Sequence, residues 1–169
     1  MSITAILDDV AETECDVIVY SVDADTFEHG LADGSIVPAP GYTPEQETMI
    51  LTNMFDGFRI EYAPSDLYSI YVIHSICPAP GADEEESRKN LVAWYKRCLE
   101  LAADHECRSV AFTHPGDCSG HLIEEGVAAA LTAIHEFPRG DSMDYEFYFQ
   151  SEEEYQACLT LYPEMEEEA

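Results

Sequence analysis

Along this chain, short apolar runs rich in β-branched residues alternate with longer stretches whose apolar positions recur at helical spacing. Ile3–Leu7 and Val17–Tyr20 are of the first kind and read as strands separated by an acidic loop. Phe58–Tyr62 alternates apolar and polar residues, which predicts a strand with one exposed face. Ile70–Ile76 is a nearly continuous apolar run that ends in the turn Pro78-Ala79-Pro80-Gly81. In the stretch 84–104, Leu91, Trp94, Tyr95, Cys98, Leu101 and Ala102 fall on one helical stripe, and the acids at its start suit the positive end of a helix dipole. Val110–Phe112 marks another strand, near 109–113. Ile123, Val127, Ala130, Leu131 and Ile134 form a second stripe, stopped by Pro138. Thr43-Pro44-Glu45-Gln46 combines a cap residue, a first-turn proline and a capping-box Gln, so a helix starts there and runs to about Asn53. Tyr145–Phe149 reads as a strand, and Ser151–Glu154 opens a last helix reaching about Tyr162. Residues 21–42, with Gly30, Gly34, Pro38, Pro40 and Gly41, read as loops with one helical turn. Residues 164–169 read as a frayed acidic tail.

Strands that alternate with helices predict a three-layer α/β/α domain with a six-stranded mixed sheet. The run from Ser69 to Gly120 is a strand, a crossover helix, a strand and a glycine-bearing loop, the arrangement that parallel strands require. Ligands of such sheets lie at the carboxyl ends of the strands. Without repeats, linkers or a shift in composition, residues 1–163 are expected to form one domain.

The charge changes the picture more than the rest of the composition. There are 35 acidic residues against 7 basic ones, a formal −28. Such a field repels phosphate backbones and argues against nucleic acid as a partner. With Lys89 and Lys96 the only lysines, it also fits a salt-rich cytosol, although an acidic surface can serve solubility alone. No apolar run has membrane-spanning length, and the N-terminus lacks the basic start and apolar stretch of a secretory signal; a cytoplasmic location is expected. The six cysteines, with no CxxC pair, read as reduced and mostly buried.

Several segments carry a resemblance. Asp8-Asp9-Val10 follows the first strand, Asp16–Tyr20 forms the second, and Tyr71-Val-Ile-His-Ser-Ile-Cys-Pro78 forms a central one. Cys98–His105 with Arg108–Phe112, Glu124–Ala130 through Phe137, and Ser151–Tyr155 complete the pattern. In element order and core pattern these resemble the macrodomain family over nearly the whole chain outside residues 24–56. The resemblance implies a domain that binds ADP-ribose or a related nucleotide at the strand ends. It implies Asp9, beside Val10, as acceptor for the adenine amino group. The family's Asn-Ala-Ala-Asn stands here as Tyr20-Ser21-Val22-Asp23, which puts Asp23 where an Asn would hold the distal ribose. The glycine run that follows in the family is replaced by Asp25-Thr-Phe-Glu-His-Gly30. The phosphate loop Ser-Thr-Gly-x-x-Gly stands as Pro115-Gly116-Asp117-Cys118-Ser119-Gly120, with only the last glycine in register.

The candidate ligand-binding residues are therefore Asp9, Val10, Asp23, Gly116, Asp117, Cys118, Ser119 and Gly120, with Asp23 the catalytic candidate. The loop can be read two ways. Its glycines allow an anion nest at a helix start, while Asp117 or Ser119 can equally be a plain N-cap. His114, Cys118 and His121, with His74 and Cys77 on a neighbouring strand, have ligand types suited to zinc. The pattern is too loose to predict a metal, and neither a metal nor a cofactor is expected. The reading that follows is a divergent macrodomain-like binding module with weakened or altered ligand recognition. The alternatives are an ADP-ribosyl hydrolase with a rebuilt site and a protein-interaction scaffold without a small ligand.

Overall fold

The computed structural model describes residues 1–23, 27–30, 36–54, 56–113 and 123–168, with Asp23 described by its backbone only. The strands are β1 (Ile3–Leu7), β2 (Val17–Asp23), β3 (Phe58–Tyr62), β4 (Tyr71–Cys77), β5 (Ser109–Thr113), β6 (Asp144–Phe149) and β7 (Glu166–Glu167). The helices are α1 (Pro44–Thr52), α2 (Glu84–Asp104), α3 (Ile123–Glu136) and α4 (Glu152–Leu161), with a helical turn at 27–30 and short 3-10 turns at Val10–Glu12 and Gly140–Ser142. The sheet order is β3-β4-β2-β5-β6-β1-β7. Among the described residues only the β3–β4 pairing is antiparallel, so the sheet is mixed, as expected.

Helix starts follow the capping chemistry of the sequence. The Thr43 side chain accepts from the Gln46 N–H while the Gln46 side chain accepts from the Thr43 N–H, a closed capping box. Asp83 caps α2 through Glu86 N–H at 2.8 Å, and Ser151 caps α4. These bonds satisfy donors that a helix start otherwise leaves open.

Alternation along the central strands divides the core in two. Val17, Val19, Ile73, Val110, Phe112, Tyr145 and Phe147 face the rear, where they pack on Leu91, Tyr95 and Leu99 of α2, Val127 and Ile134 of α3, and Tyr155 of α4. Each such large side chain contributes about 1.5–3 kcal/mol by leaving water. Ile6, Ile18, Val72, Ala111 and Tyr148 face the front, where the cover is thinner: Val10, Cys15, Ala39 and, toward α1, Val22, Ile36 and Leu51.

Three expectations are corrected. The sheet has seven strands rather than six. The extra strand lies within the segment read as a frayed tail: Met165 is buried in the rear core, and this anchor lays Glu166 and Glu167 beside Thr4 and Ala5. Charge alone suggested fraying; one apolar residue reverses it. Cys15, Cys98, Cys107 and Cys158 are free and buried as expected, but Cys77 is disulfide-bonded, to a partner outside the described residues. Spacing along the chain does not reveal which segments meet at a strand end, and Cys77 closes β4.

Candidate functional site

The carboxyl ends of β1, β2, β5 and β6 surround a cavity of about 250 Å³ on the front face. From β1 come Asp8, Asp9 and Val10, where the chain turns into a 3-10 helix. The Asp8 carboxylate accepts the Asp9 N–H at 2.7 Å, and Asp9 Oδ1 accepts the Ala11 N–H at 2.9 Å. Asp9 is exposed and holds further lone pairs with which to accept from a ligand. Tyr20 and Ser21 of β2, Thr113 of β5, and Tyr148 and Gln150 at the end of β6 supply the floor and far side. Val37, Pro38 and Pro40 form a wall that no strand provides.

A polar layer supports these residues from below. Thr13 Oγ1 donates to Glu146 Oε1 at 2.6 Å, and the Tyr148 hydroxyl donates to the same oxygen at 2.8 Å. The Tyr20 hydroxyl donates to the Val37 carbonyl. Burial, reinforced by the Glu47 charge, raises the Tyr20 phenol well above its ordinary value; burial does the same for Tyr148, so both stay protonated donors. Burial, then the charges of Glu61 and Glu47, pushes Tyr42 up to about 12. The cavity thus offers carboxylates, a carboxamide, hydroxyls and two aromatic rings, and none of its described lining residues is cationic.

Of the residues singled out from sequence, Asp9 and Val10 both line this cavity. Asp23 ends β2, paired with Cys77 of β4, but its side chain lies outside the described residues. Gly116, Asp117, Cys118, Ser119 and Gly120 lie outside them too, as do His114 and His121. Among the described residues, no group of three or more His, Cys, Asp or Glu side chains could hold a metal ion. Sequence reasoning passed over Tyr20, Thr113, Tyr148 and Gln150, although each sits at the carboxyl end of a predicted strand, a position that itself marks a ligand site.

The fold and the position of this cavity define a class, and comparison with known proteins agrees. Residues 24–116 match the family model described as Macro domain. The chain belongs to the Macro domain family. It is 30% identical over 116 residues to a Macro domain-containing protein of Listeria monocytogenes, and the match covers 66% of each. It is 29% identical over 131 residues to the ADP-ribose glycohydrolase MACROD1 of Mus musculus, a match spanning 76% of this chain and 41% of that protein. Its fold is similar to the Oceanobacillus iheyensis macrodomain with ADP, at a TM-score of 0.70 and 21% identity over 95% of this chain and 90% of the other.

Proposed function

We propose that this chain is a binding module for ADP-ribose or a related nucleotide, with recognition that is weakened or altered at the phosphate and distal-ribose end. The observation that carries the reading is the cavity at the strand ends, where Asp9, Val10, Tyr148 and Gln150 converge and no described lining residue is cationic. That lining suits the donor-bearing, ring-containing nucleoside end of such a ligand. For the other end, the support is in the sequence. Pro115 has no N–H to give a diphosphate, and Asp117 adds a negative charge where one is unwelcome. Asp23 accepts hydrogen bonds but donates none when ionised, so a ribose clamp built on an Asn amide is changed. In these roles Asp9 and Val10 meet the base, Asp23 the ribose, and Gly116–Gly120 the phosphates. The acidic surface argues further against nucleic acid as the ligand.

The test is a melting-temperature screen and calorimetry with ADP-ribose and ADP in high salt. A ligand bound only by the folded state raises its stability. Weak binding, strengthened by Asp117→Gly, is expected; low-micromolar affinity for ADP-ribose would refute altered recognition. Similarity to a mouse ADP-ribose glycohydrolase favours a second reading, an ADP-ribosyl hydrolase with a rebuilt site. Release of ADP-ribose from a mono-ADP-ribosylated substrate that disappears in Asp23→Ala would establish it. The expected result is no meaningful release, because positioning carries much of such catalysis.

A further inference from the structure

The least expected group behind the cavity is a carboxylate sealed from water. Glu47 lies in the first turn of α1 and is fully buried. A buried carboxylate is costly unless its oxygens are paired. Here Oε1 accepts the Ala39 N–H at 2.9 Å, and Oε2 lies 2.7 Å from Nδ1 of His74, itself fully buried on β4. Tyr42 packs edge-on against the imidazole with ring centroids 4.6 Å apart, and among the described residues His74 Nε2 has no hydrogen-bond partner. Glu47 is thus the polar contact that fixes the ring.

The other half of the arrangement is the wall. Pro38 and Pro40 have no N–H, so within residues 38–40 Ala39 supplies the only backbone donor. That donor goes to Glu47, while Val37, Pro38 and Pro40 line the cavity. The Val37 carbonyl is in turn occupied by the Tyr20 hydroxyl. Tied at these two points, the wall lines the cavity with one valine and two prolines, whose side chains are apolar.

We propose that Glu47, anchored by His74, is a positioning residue that holds the Val37–Pro40 wall and so sets the width of the cleft and its preference for the ring face of a nucleoside over phosphate. The proposal deepens the nucleotide reading and rests on it for the identity of the ligand. Glu47→Leu removes both hydrogen bonds. Glu47→Gln can keep both, its oxygen accepting from Ala39 and its amide donating to Nδ1 of the other imidazole tautomer. Glu47→Asp keeps the charge but is one methylene short of bridging the pair.

Two readouts are measured on the full chain in high salt: calorimetric affinity for ADP-ribose and ADP, and amide exchange of Ala39 by NMR. In Glu47→Leu the affinity is expected to fall about tenfold, equivalent to about 1.4 kcal/mol. Ala39 should lose protection while the amides of β2 and β5 keep theirs, and Glu47→Gln should restore both readouts. If Glu47→Leu does not fold, Glu47→Asp should show the same loss. Val127→Ala in the rear core is the control, lowering stability without moving either readout. Unchanged affinity and Ala39 exchange in the Leu and Asp variants would overturn the proposal, as would losses that merely track melting temperature as in the control. If the native protein binds neither nucleotide, the nucleotide reading fails; Ala39 exchange then decides by itself whether Glu47 holds the wall.

Discussion

The same sheet meets two different environments. Behind it, Phe112 stacks on Phe147 with centroids 5.0 Å apart, Tyr95 meets Phe112 edge-on, and three helices, of 21, 14 and 10 residues, close an apolar core. In front, a nine-residue helix and an irregular segment cover a layer that includes a buried carboxylate–imidazole contact, hydroxyl hydrogen bonds and a cavity. Rear contacts are nondirectional and tolerate exchange of one apolar group for another of equal volume. Those in front are directional, and loss of one partner strands the other. The rear therefore supplies most of the stability, and the front supplies geometry.

Truncating the rear core should have the largest effect. Phe147→Ala is expected to cost about 3–5 kcal/mol in urea unfolding, the range for losing a buried aromatic ring. A cost under about 1 kcal/mol would mean that the rear is not the tightly packed half. Next comes His74→Leu, which fills a similar space yet leaves the Glu47 carboxylate without its partner; a loss of about 3 kcal/mol is expected. A neutral result would remove the distinction between a directional front and a nondirectional rear.

Salt probes the comparison from outside. The acids at the starts of α2, α3 and α4 crowd the rear helices, and the whole chain carries −28. Screening this repulsion from low salt to molar potassium chloride should raise the melting temperature by about 4 °C or more, equivalent to about 1 kcal/mol or more. A flat profile would reduce the charge to a solubility feature. The smallest effect belongs to the front helix. Thr43→Ala opens the capping box of α1 and should cost about 1 kcal/mol, again by urea unfolding. A cost matching that of Phe147→Ala would show that the front frame, and not the rear core, limits stability.

The two faces also differ in how legible they were. Leu91, Trp94, Tyr95 and Cys98 announce α2 by spacing alone, and Val127, Leu131 and Ile134 announce α3, because burial against a sheet imposes a period on the sequence. Asp9, which lines the cavity, was singled out only through the family resemblance of the segment after β1. Glu47 was not. On a helix surrounded by Glu45, Gln46 and Thr48, an acid reads as solvent-facing, and only the fold reveals that an imidazole and an N–H await it. The wall was hidden for a related reason: Pro38 and Pro40 mark a rigid turn but do not say which side of it a ligand would meet. Tyr148 and Gln150 were within reach, since a strand end is itself a signal.

The two glutamates of β7 have a consequence for behaviour in a crowded solution. A sheet whose outermost long strand is β1 would leave a row of N–H and C=O groups open to pairing with any passing extended chain. Glu166 and Glu167 occupy part of that row themselves, and they do so with two negative charges on a segment too short to extend the ladder. Another copy of this acidic chain approaching that side meets like charge before it meets a free hydrogen bond. The short strand that Met165 pins in place thus acts as a guard against edge-to-edge aggregation, placed at the border where the fold would otherwise be sticky.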